Sequence, residues 1–317
     1  MYQVGAEKVI PIARASTQPQ KCHKRNFAKS LSYHSMVLPL LVLYGLFVIY
    51  PFLSTFFYSF TDYSSMKMFD FGFAGLKNYL TVFQTKTQMD AILHTIQYAV
   101  ILTVAQTLLA LPLAVFLNTK LRGRNILRSI FFFPAVLSPI VVGYLWGFLF
   151  STSAYGPINN LLKGMGLPAI NFFGDPDLAL YSIIFTQVWQ WTGWSMVIIL
   201  ANLQSIDPAY YEAARIDGAG PIQSFFRITL PLLYPSVNVL VVTGLVGGLK
   251  VYDIIVSTTG GGPFNATSTI IQSIINQAIG GGQYSLGAAY SVIFFIIVLI
   301  FTWLVMLIMR KWEEAIQ

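Results

Sequence analysis

Charge is what this sequence has least of. Only 10% of its 317 residues are Asp, Glu, Lys or Arg, whereas a soluble domain carries about 25%. Hydrophobic residues make up 56% and aromatics 15%, and the mean hydropathy is +0.66. That balance excludes both a soluble globular domain and a disordered scaffold, which would be polar and poor in aromatics. Cysteine is nearly absent: Cys22 stands alone, so no intrachain disulfide forms and packing must hold the fold. The three histidines, His23, His34 and His94, are scattered, with no H-E-x-x-H and no cysteine pair, so no metal site is expected. There is no G-x-x-x-x-G-K-[ST] loop, and neither Gly260–Gly262 nor Gly280–Gly282 is followed by Lys. No nucleotide-binding loop of that kind is therefore encoded here.

What the chain has is long apolar runs. A spanning helix needs about 20 mostly apolar residues, because it rises about 1.5 Å per residue through a hydrocarbon layer about 30 Å thick. Six segments qualify: 35–60, 91–117, 129–150, 178–204, 233–256 and 286–309. Each is far longer than a core strand, and none shows the ten-residue alternation of a membrane barrel. The expected fold class is an all-α integral membrane protein with six transmembrane helices. Residues 1–34 are polar and basic and lack a short apolar stretch with a small-residue cleavage site, so the first span is expected to act as an uncleaved insertion signal. An interfacial helix near Phe27–Tyr33 is one option for this tail, though no periodicity decides it.

Lys and Arg gather on one side of the six spans. The tail 1–34, the loop 118–128, the loop 205–232 and the tail 310–317 together hold fourteen; the loop 61–90 and the other outer loops hold four. Short cytoplasmic segments carry the basic excess, which places both termini in the cytoplasm. The net charge of +7 is then explained by topology, and nucleic acid is not an expected partner. Membrane lipids are, and anionic headgroups fit the basic tail.

One cytoplasmic loop is more than a connector. Asp207 is a good helix N-cap and Pro208 suits the first helical position, where its missing N–H is not needed. Gly218 and Gly220 supply a stop, and Pro221 begins a second short helix. Tyr210, Ala213 and Ala214 follow at spacings of three and four, giving a small-residue face for another backbone to approach. A helix this short is marginal in water and needs something to dock against.

Within this loop the sequence resembles the binding-protein-dependent ABC importer permeases, specifically the sugar-permease group. Their cytoplasmic signature is Glu-Ala-Ala, three residues, Gly, nine residues, Ile, one residue, Leu-Pro, and here it reads Glu212-Ala213-Ala214, Gly218, Ile228, Leu230-Pro231. Two shorter stretches resemble the same group: Phe73-Ala74-Gly75-Leu76-Lys77-Asn78-Tyr79, and Ser257-Thr258-Thr259-Gly260-Gly261-Gly262-Pro263. The resemblance implies a type I importer bundle over about 91–309, with a coupling helix that seats in a cleft on an ATPase subunit. Tyr211, Glu212, Ala213, Ala214, Arg215, Asp217 and Gly218 would form the coupling site, with Glu212 meeting a basic group, Gly218 making the turn, and Arg215 and Asp217 giving polar support. It further implies a second homologous permease chain, two ATPase subunits that bind ATP and Mg, an extracytoplasmic solute-binding protein and a bacterial inner membrane. The permease itself would bind no cofactor and would not be an enzyme.

Substrate-path candidates come from two spans. Charges inside a span are costly and are functional candidates, and Lys250 and Asp253 alone qualify. At a spacing of three they are expected on one face of span five. They either neutralise each other, with Lys250 snorkelling outward, or Lys250 faces the path and contacts a sugar, an acidic one included. Gly244, Gly247 and Gly248 precede them, and glycine lets a backbone or ligand come close. Span four carries Gln190, Trp191 and Trp194, whose rings and amide suit the faces and rims of sugars; interfacial anchoring is the competing reading. Resemblance to maltose-type permeases puts sugar contacts at Trp194, Gly244, Gly248 and Val251, the last three lacking polar side chains here. Tyr252 completes the expected path.

The expected function is translocation of a carbohydrate, an oligosaccharide with or without uronate units. Alternatives are an ABC permease for a non-sugar solute, a membrane enzyme, for which clustered acid/base residues are missing, and an ion-coupled carrier, which should show more intramembrane acids. Asp90 and His94, four apart at the start of span two, read as a helix-entry pair rather than an acid/base site.

Overall fold

The computed structural model describes residues 37–119, 121–154 and 156–316. The basic tail 1–34, the option of a helix near Phe27–Tyr33, and Lys120 lie outside the described residues. The chain divides into two units, Met1–Phe52 and Leu53–Gln317. In the first, residues 37–52 are helical and expose large apolar side chains such as Leu40 and Phe47. They belong to the 22-residue helix α1 (Val37–Tyr58), which is long and apolar enough to cross a membrane.

The second unit is helical throughout its regular structure: among the described residues only two isolated bridges, Thr61 with Phe73 and Ser64 with Lys67, are extended pairings. Three further helices are long enough to span: α3 (Lys86–Asn118), α7 (Ala179–Ser205) and α13 (Tyr284–Ile316). Short helices stand between them: α2 (Lys77–Gln84) before α3, α6 (Pro157–Gly164) before α7 and α12 (Ile270–Ile275) before α13. Helix α7 is the central one, with 61% of its most apolar window buried, while α13 buries 11% and turns most of its apolar surface outward. An outward apolar face of this length is stable in lipid, where it has no water to avoid.

The other two expected spans are bent, which corrects the sequence reading. Residues 129–150 do not form one rod: α4 (Arg124–Val136) meets α5 (Pro139–Leu149) at 99°. Pro139 is the cause. The residue before a proline is pushed into the extended region, and Ser138 sits at φ −63°, ψ 139°. The stretch 233–256 is likewise interrupted. Helix α10 (Tyr234–Leu249) ends at Leu249, and after Lys250, Val251 and Tyr252 a new helix, α11 (Asp253–Thr258), begins. Upstream, α9 (Pro221–Leu232) meets α10 at 59°, and counting α4 with α5 and α9 with α10 as one bent span each brings the total to six.

Close backbone approaches lock these pieces. A Cβ added to Gly193 of α7 would lie 1.8 Å from the Phe131 carbonyl oxygen, and one added to Gly143 of α5 would lie 2.0 Å from Ser257 Oγ of α11. Any larger residue at either position forces the elements apart. Around them, Tyr98, Leu102, Val142, Trp146, Ile183, Val251, Ile254 and Ile255 form one buried cluster. A second joins Ala110, Ala114, Leu117, Met196, Ile199, Leu203 and Leu240.

The outer-loop stretch 73–79 is a structural clamp. Asn78 Nδ2 donates to the carbonyls of Ser59 and Thr61 at 2.9 and 2.8 Å, Tyr79 Oη lies 2.7 Å from Ser59 Oγ, and the N–H groups of Ala74 and Gly75 both donate to the Phe60 carbonyl. These bonds satisfy carbonyls of the turn that immediately follows α1 and tie it to the 73–79 stretch. The glycine-rich turn is built in the same way: Gly260 and Gly261 have positive φ, Thr259 Oγ1 lies 2.6 Å from Thr267 Oγ1, and Thr267 Oγ1 donates to the Gly262 carbonyl at 2.7 Å.

Candidate functional site

A cavity of about 320 Å³ lies at the level of both helix breaks. Pro139 borders it from the first break and Lys250, Val251, Tyr252, Asp253 and Ile254 from the second; Gln187, Trp191 and Trp194 come from α7, and Thr243, Gly244, Gly247 and Gly248 from α10. Broken helices free backbone groups at membrane depth, which is tolerated where they line a cavity rather than lipid.

Of the residues expected on the path, Trp191, Trp194, Gly244, Gly248, Lys250, Val251, Tyr252 and Asp253 border this cavity. The two tryptophans therefore face the cavity rather than serving only as interfacial anchors. Gln190 does not border it, which is a correction. Its side chain is fully buried and spent elsewhere: Nε2 donates to the Leu137 carbonyl at 2.8 Å, and Oε1 accepts from Gln187 Nε2 at 2.7 Å. Gln187 takes its place at the wall, its Oε1 accepting the Trp191 indole N–H at 3.1 Å. Gly244 and Gly248 also have a packing role. A Cβ on Gly248 would lie 2.7 Å from Ala99 Cα, and one on Gly244 3.3 Å from Thr103, so α10 sits directly on α3.

The pairing of Lys250 with Asp253, one of the two options for these residues, is not made. No ion pair joins them, because the helix that would have put them on one face stops between them. Lys250 caps the C-terminal end of α10 and Asp253 opens the first turn of α11. Each charge thus complements a helix end, a cation at the negative end and an anion at the positive end. Both side chains face the cavity region without neutralising each other.

The wall contributed by α3 was not expected. Tyr98, Leu102 and Gln106 recur every four residues and form one stripe against the cavity. Gln106 Nε2 is held by Ser195 Oγ and faces the Trp191 carbonyl. An i, i+4, i+8 stripe is common in any core helix, and only the tertiary fold shows what it faces. Asp90 and His94 lie within α3, one turn after its start, and no ion pair joins them.

The cytoplasmic-loop residues form a second candidate surface. Helix α8 (Pro208–Ile216) is capped by Asp207, whose side chain accepts the Ala209 N–H at 2.9 Å. It ends with Gly218 at φ +78°, while the Ala219 N–H reaches the Ala214 carbonyl at 2.9 Å and the Gly218 N–H the Arg215 carbonyl at 3.1 Å. That double bond pattern with a left-handed glycine is the Schellman stop. Pro221 then begins α9 (Pro221–Leu232), and Tyr211 Oη lies 3.0 Å from Thr229 Oγ1, joining the two helices.

The three-residue face expected on α8 is split, a further correction. Ala214 is buried against its own chain, whereas Tyr210 and Ala213 are exposed. Glu212, Arg215 and Asp217 are exposed too, and Glu212 has no ion-pair partner within the described residues. One turn after Glu212 stands Ile216, 87% exposed, and the first turn of α9 carries Ile222, 75% exposed. Exposed apolar side chains thus accompany an exposed carboxylate on a stiffly capped helix.

Residues 106–314 match the family described as the binding-protein-dependent transport system inner membrane component. Among curated proteins, the chain is similar to the trehalose/maltose transport system permease protein MalF of Thermococcus litoralis, 35% identical over 268 residues covering 84% of this chain and 90% of that one. It is 33% identical to the multiple sugar-binding transport system permease protein MsmF of Streptococcus mutans, over 88% of this chain and 94% of that one. It is also 33% identical to the sn-glycerol-3-phosphate transport system permease protein UgpA of Salmonella choleraesuis, over 84% and 90%. In fold, it matches a chain of a bacterial alginate ABC transporter solved with an alginate pentasaccharide-bound periplasmic protein, with a TM-score of 0.78 and 23% identity, over 91% of this chain and 97% of that one.

Proposed function

We propose the following from one premise: the chain belongs to the family of binding-protein-dependent transport system inner membrane components, and within it this chain moves a carbohydrate. It is a multi-pass, non-catalytic permease subunit of an ABC importer. The substrate is an oligosaccharide, uronate-containing ones included, handed over by an extracytoplasmic solute-binding protein. A second homologous permease chain completes the path, and two ATPase subunits bind ATP and Mg on the cytoplasmic side, where both termini lie. Closure of the ATPase dimer around ATP opens the path outward, and hydrolysis returns it inward.

The observation that carries this reading is the cavity at the two helix breaks. Its tryptophans offer flat apolar faces to sugar C–H surfaces, and Gln187, Gln106, Tyr252 and Asp253 set polar groups among them, the mixed lining of small-molecule sites. Names of relatives support it, two of the three being sugar permeases. The glycerol-3-phosphate relative and Lys250, which has no ion-pair partner among the described residues, favour a second reading, a small phosphorylated polyol. For coupling, the exposed Glu212 on α8 supports docking on the ATPase subunit.

The test is ATPase stimulation of the assembled transporter in lipid, with its binding protein and a panel of maltose, trehalose, alginate pentasaccharide and sn-glycerol 3-phosphate. Stimulation by one or more of the saccharides is expected. Stimulation by the phosphorylated polyol alone would replace this reading with the second.

A further inference from the structure

Resting on the carbohydrate reading, we propose that the Tyr98 hydroxyl of α3 contacts a substrate hydroxyl and sets the specificity of the cavity. The argument is an accounting of polar groups. Around the cavity the Trp191 indole is taken by Gln187, the Gln187 amide by Gln190, the Gln190 amide by the Leu137 carbonyl, and the Gln106 amide by Ser195. The Thr243 hydroxyl donates to the Val239 carbonyl at 2.6 Å. These groups hold one another and shape the wall.

Tyr98 is different. It borders the same cavity, is 0% exposed, and its hydroxyl has no hydrogen-bond partner among the described residues. A buried hydroxyl left unpaired costs free energy and calls for an explanation. It belongs to the same packed cluster as Val251 and Ile254, the residues that flank the start of α11. A ligand group that pairs with Tyr98 therefore binds where α3 meets the second helix break. A tyrosine hydroxyl both donates and accepts, which fits the hydroxyl of a sugar, itself both donor and acceptor. Sites built to hydrogen-bond an OH reject analogues that lack it, because the protein group is then left unpaired.

The test is Tyr98→Phe in the full transporter assembled with its binding protein, which keeps the ring and removes only the hydroxyl. Two readouts are taken. Without substrate, the thermal midpoint of the variant complex is expected to stay equal to wild type or rise, since an unpaired group has been removed. With maltose, trehalose or alginate pentasaccharide, whichever stimulates the wild type, the concentration of loaded binding protein giving half-maximal ATPase is expected to rise about fivefold to tenfold, the loss of one hydrogen bond. An unchanged saccharide response overturns the assignment. So does a lower midpoint or failed assembly of the substrate-free variant, which would make Tyr98 a structural residue. If no saccharide stimulates the wild type, the carbohydrate reading falls and takes this assignment with it.

Discussion

Gln190 Nε2 on α7 donates to the Leu137 carbonyl at 2.8 Å, fastening the central helix to the break between α4 and α5. The same side chain receives Gln187, which receives the Trp191 indole. A ring in the cavity wall is thus tied by three successive hydrogen bonds to the point where the chain turns by 99°. Buried networks of this kind rigidify when every member is satisfied.

Gln190→Leu removes the donor and leaves the Leu137 carbonyl and Gln187 amide unpaired in a buried site. The expected loss is about 1–3 kcal/mol, read as a lower midpoint in thermal unfolding of the purified complex. Gln190→Glu, which retains the acceptor for Gln187 Nε2 but not the donor to Leu137, is expected to restore only part of it. An unchanged midpoint for Gln190→Leu would show that the break stands without this bond.

Asn78→Ala deletes both bonds to the turn that follows α1. Release of the Ser59 and Thr61 carbonyls is expected to raise hydrogen exchange across residues 59–79 while α7 keeps its protection. Equal exchange in both proteins would mean that the Phe60 carbonyl contacts suffice alone.

The loop that follows α1 carries a pH signature. The Lys67 ammonium bonded to Asp62, together with the Gly72 N–H, holds the Asp62 carboxyl below its usual value of 3.8, and Asp62 in turn raises Lys67 above 10.5. For Asp62 the folded value is depressed, so its contribution is present above the unfolded value and is lost as pH falls through the folded one. For Lys67 the folded value is raised, so its contribution is present below 10.5 and is lost as pH climbs through the folded one. Both groups are solvent-exposed, so the effect is small and salt-sensitive. Limited proteolysis within residues 62–72 is expected to quicken below about pH 4 and above about pH 10, and Asp62→Asn should flatten both limbs. A pH-independent wild type would contradict this.

Lys250 stands at a helix end without an acidic partner among the described residues. Lys250→Gln is expected to weaken stimulation by alginate pentasaccharide at least about tenfold, the cost of losing a charge-assisted hydrogen bond, while leaving maltose or trehalose responses within about twofold. Equal losses for neutral and acidic saccharides would mean that Lys250 shapes the cavity rather than reading charge.

The long spans were legible because run length alone identifies a membrane helix; α7 is shifted by one residue from the expected stretch, and α3 and α13 run past theirs by up to five and seven residues. The loop at Glu212 was legible because Asp207, Pro208, Gly218 and Pro221 each have one strong backbone preference, and the chain obeys all four. The breaks were not, because hydropathy carries no sign of a bend within an apolar run. Ser138-Pro139 held a usable signal, and Gly247-Gly248 before Lys250 held a weaker one. Treating Lys250 and Asp253 as neighbours on one helix failed for that reason, as did placing Gln190 in the path: its amide has a backbone carbonyl to satisfy 53 residues away in the chain. Tyr98 was invisible because a lone tyrosine in an apolar helix looks like core until its unpaired hydroxyl is seen.

The most direct test of the account is ATP-driven saccharide uptake into proteoliposomes holding the complete transporter and its binding protein, wild type against Glu212→Arg. Loss of a docked charge pair is worth about 3–5 kcal/mol, so uptake by the variant is expected to fall at least about 100-fold, with assembly of the two permease chains retained. Uptake by Glu212→Arg at the wild-type rate would contradict coupling through α8 and with it the importer mechanism proposed for this chain.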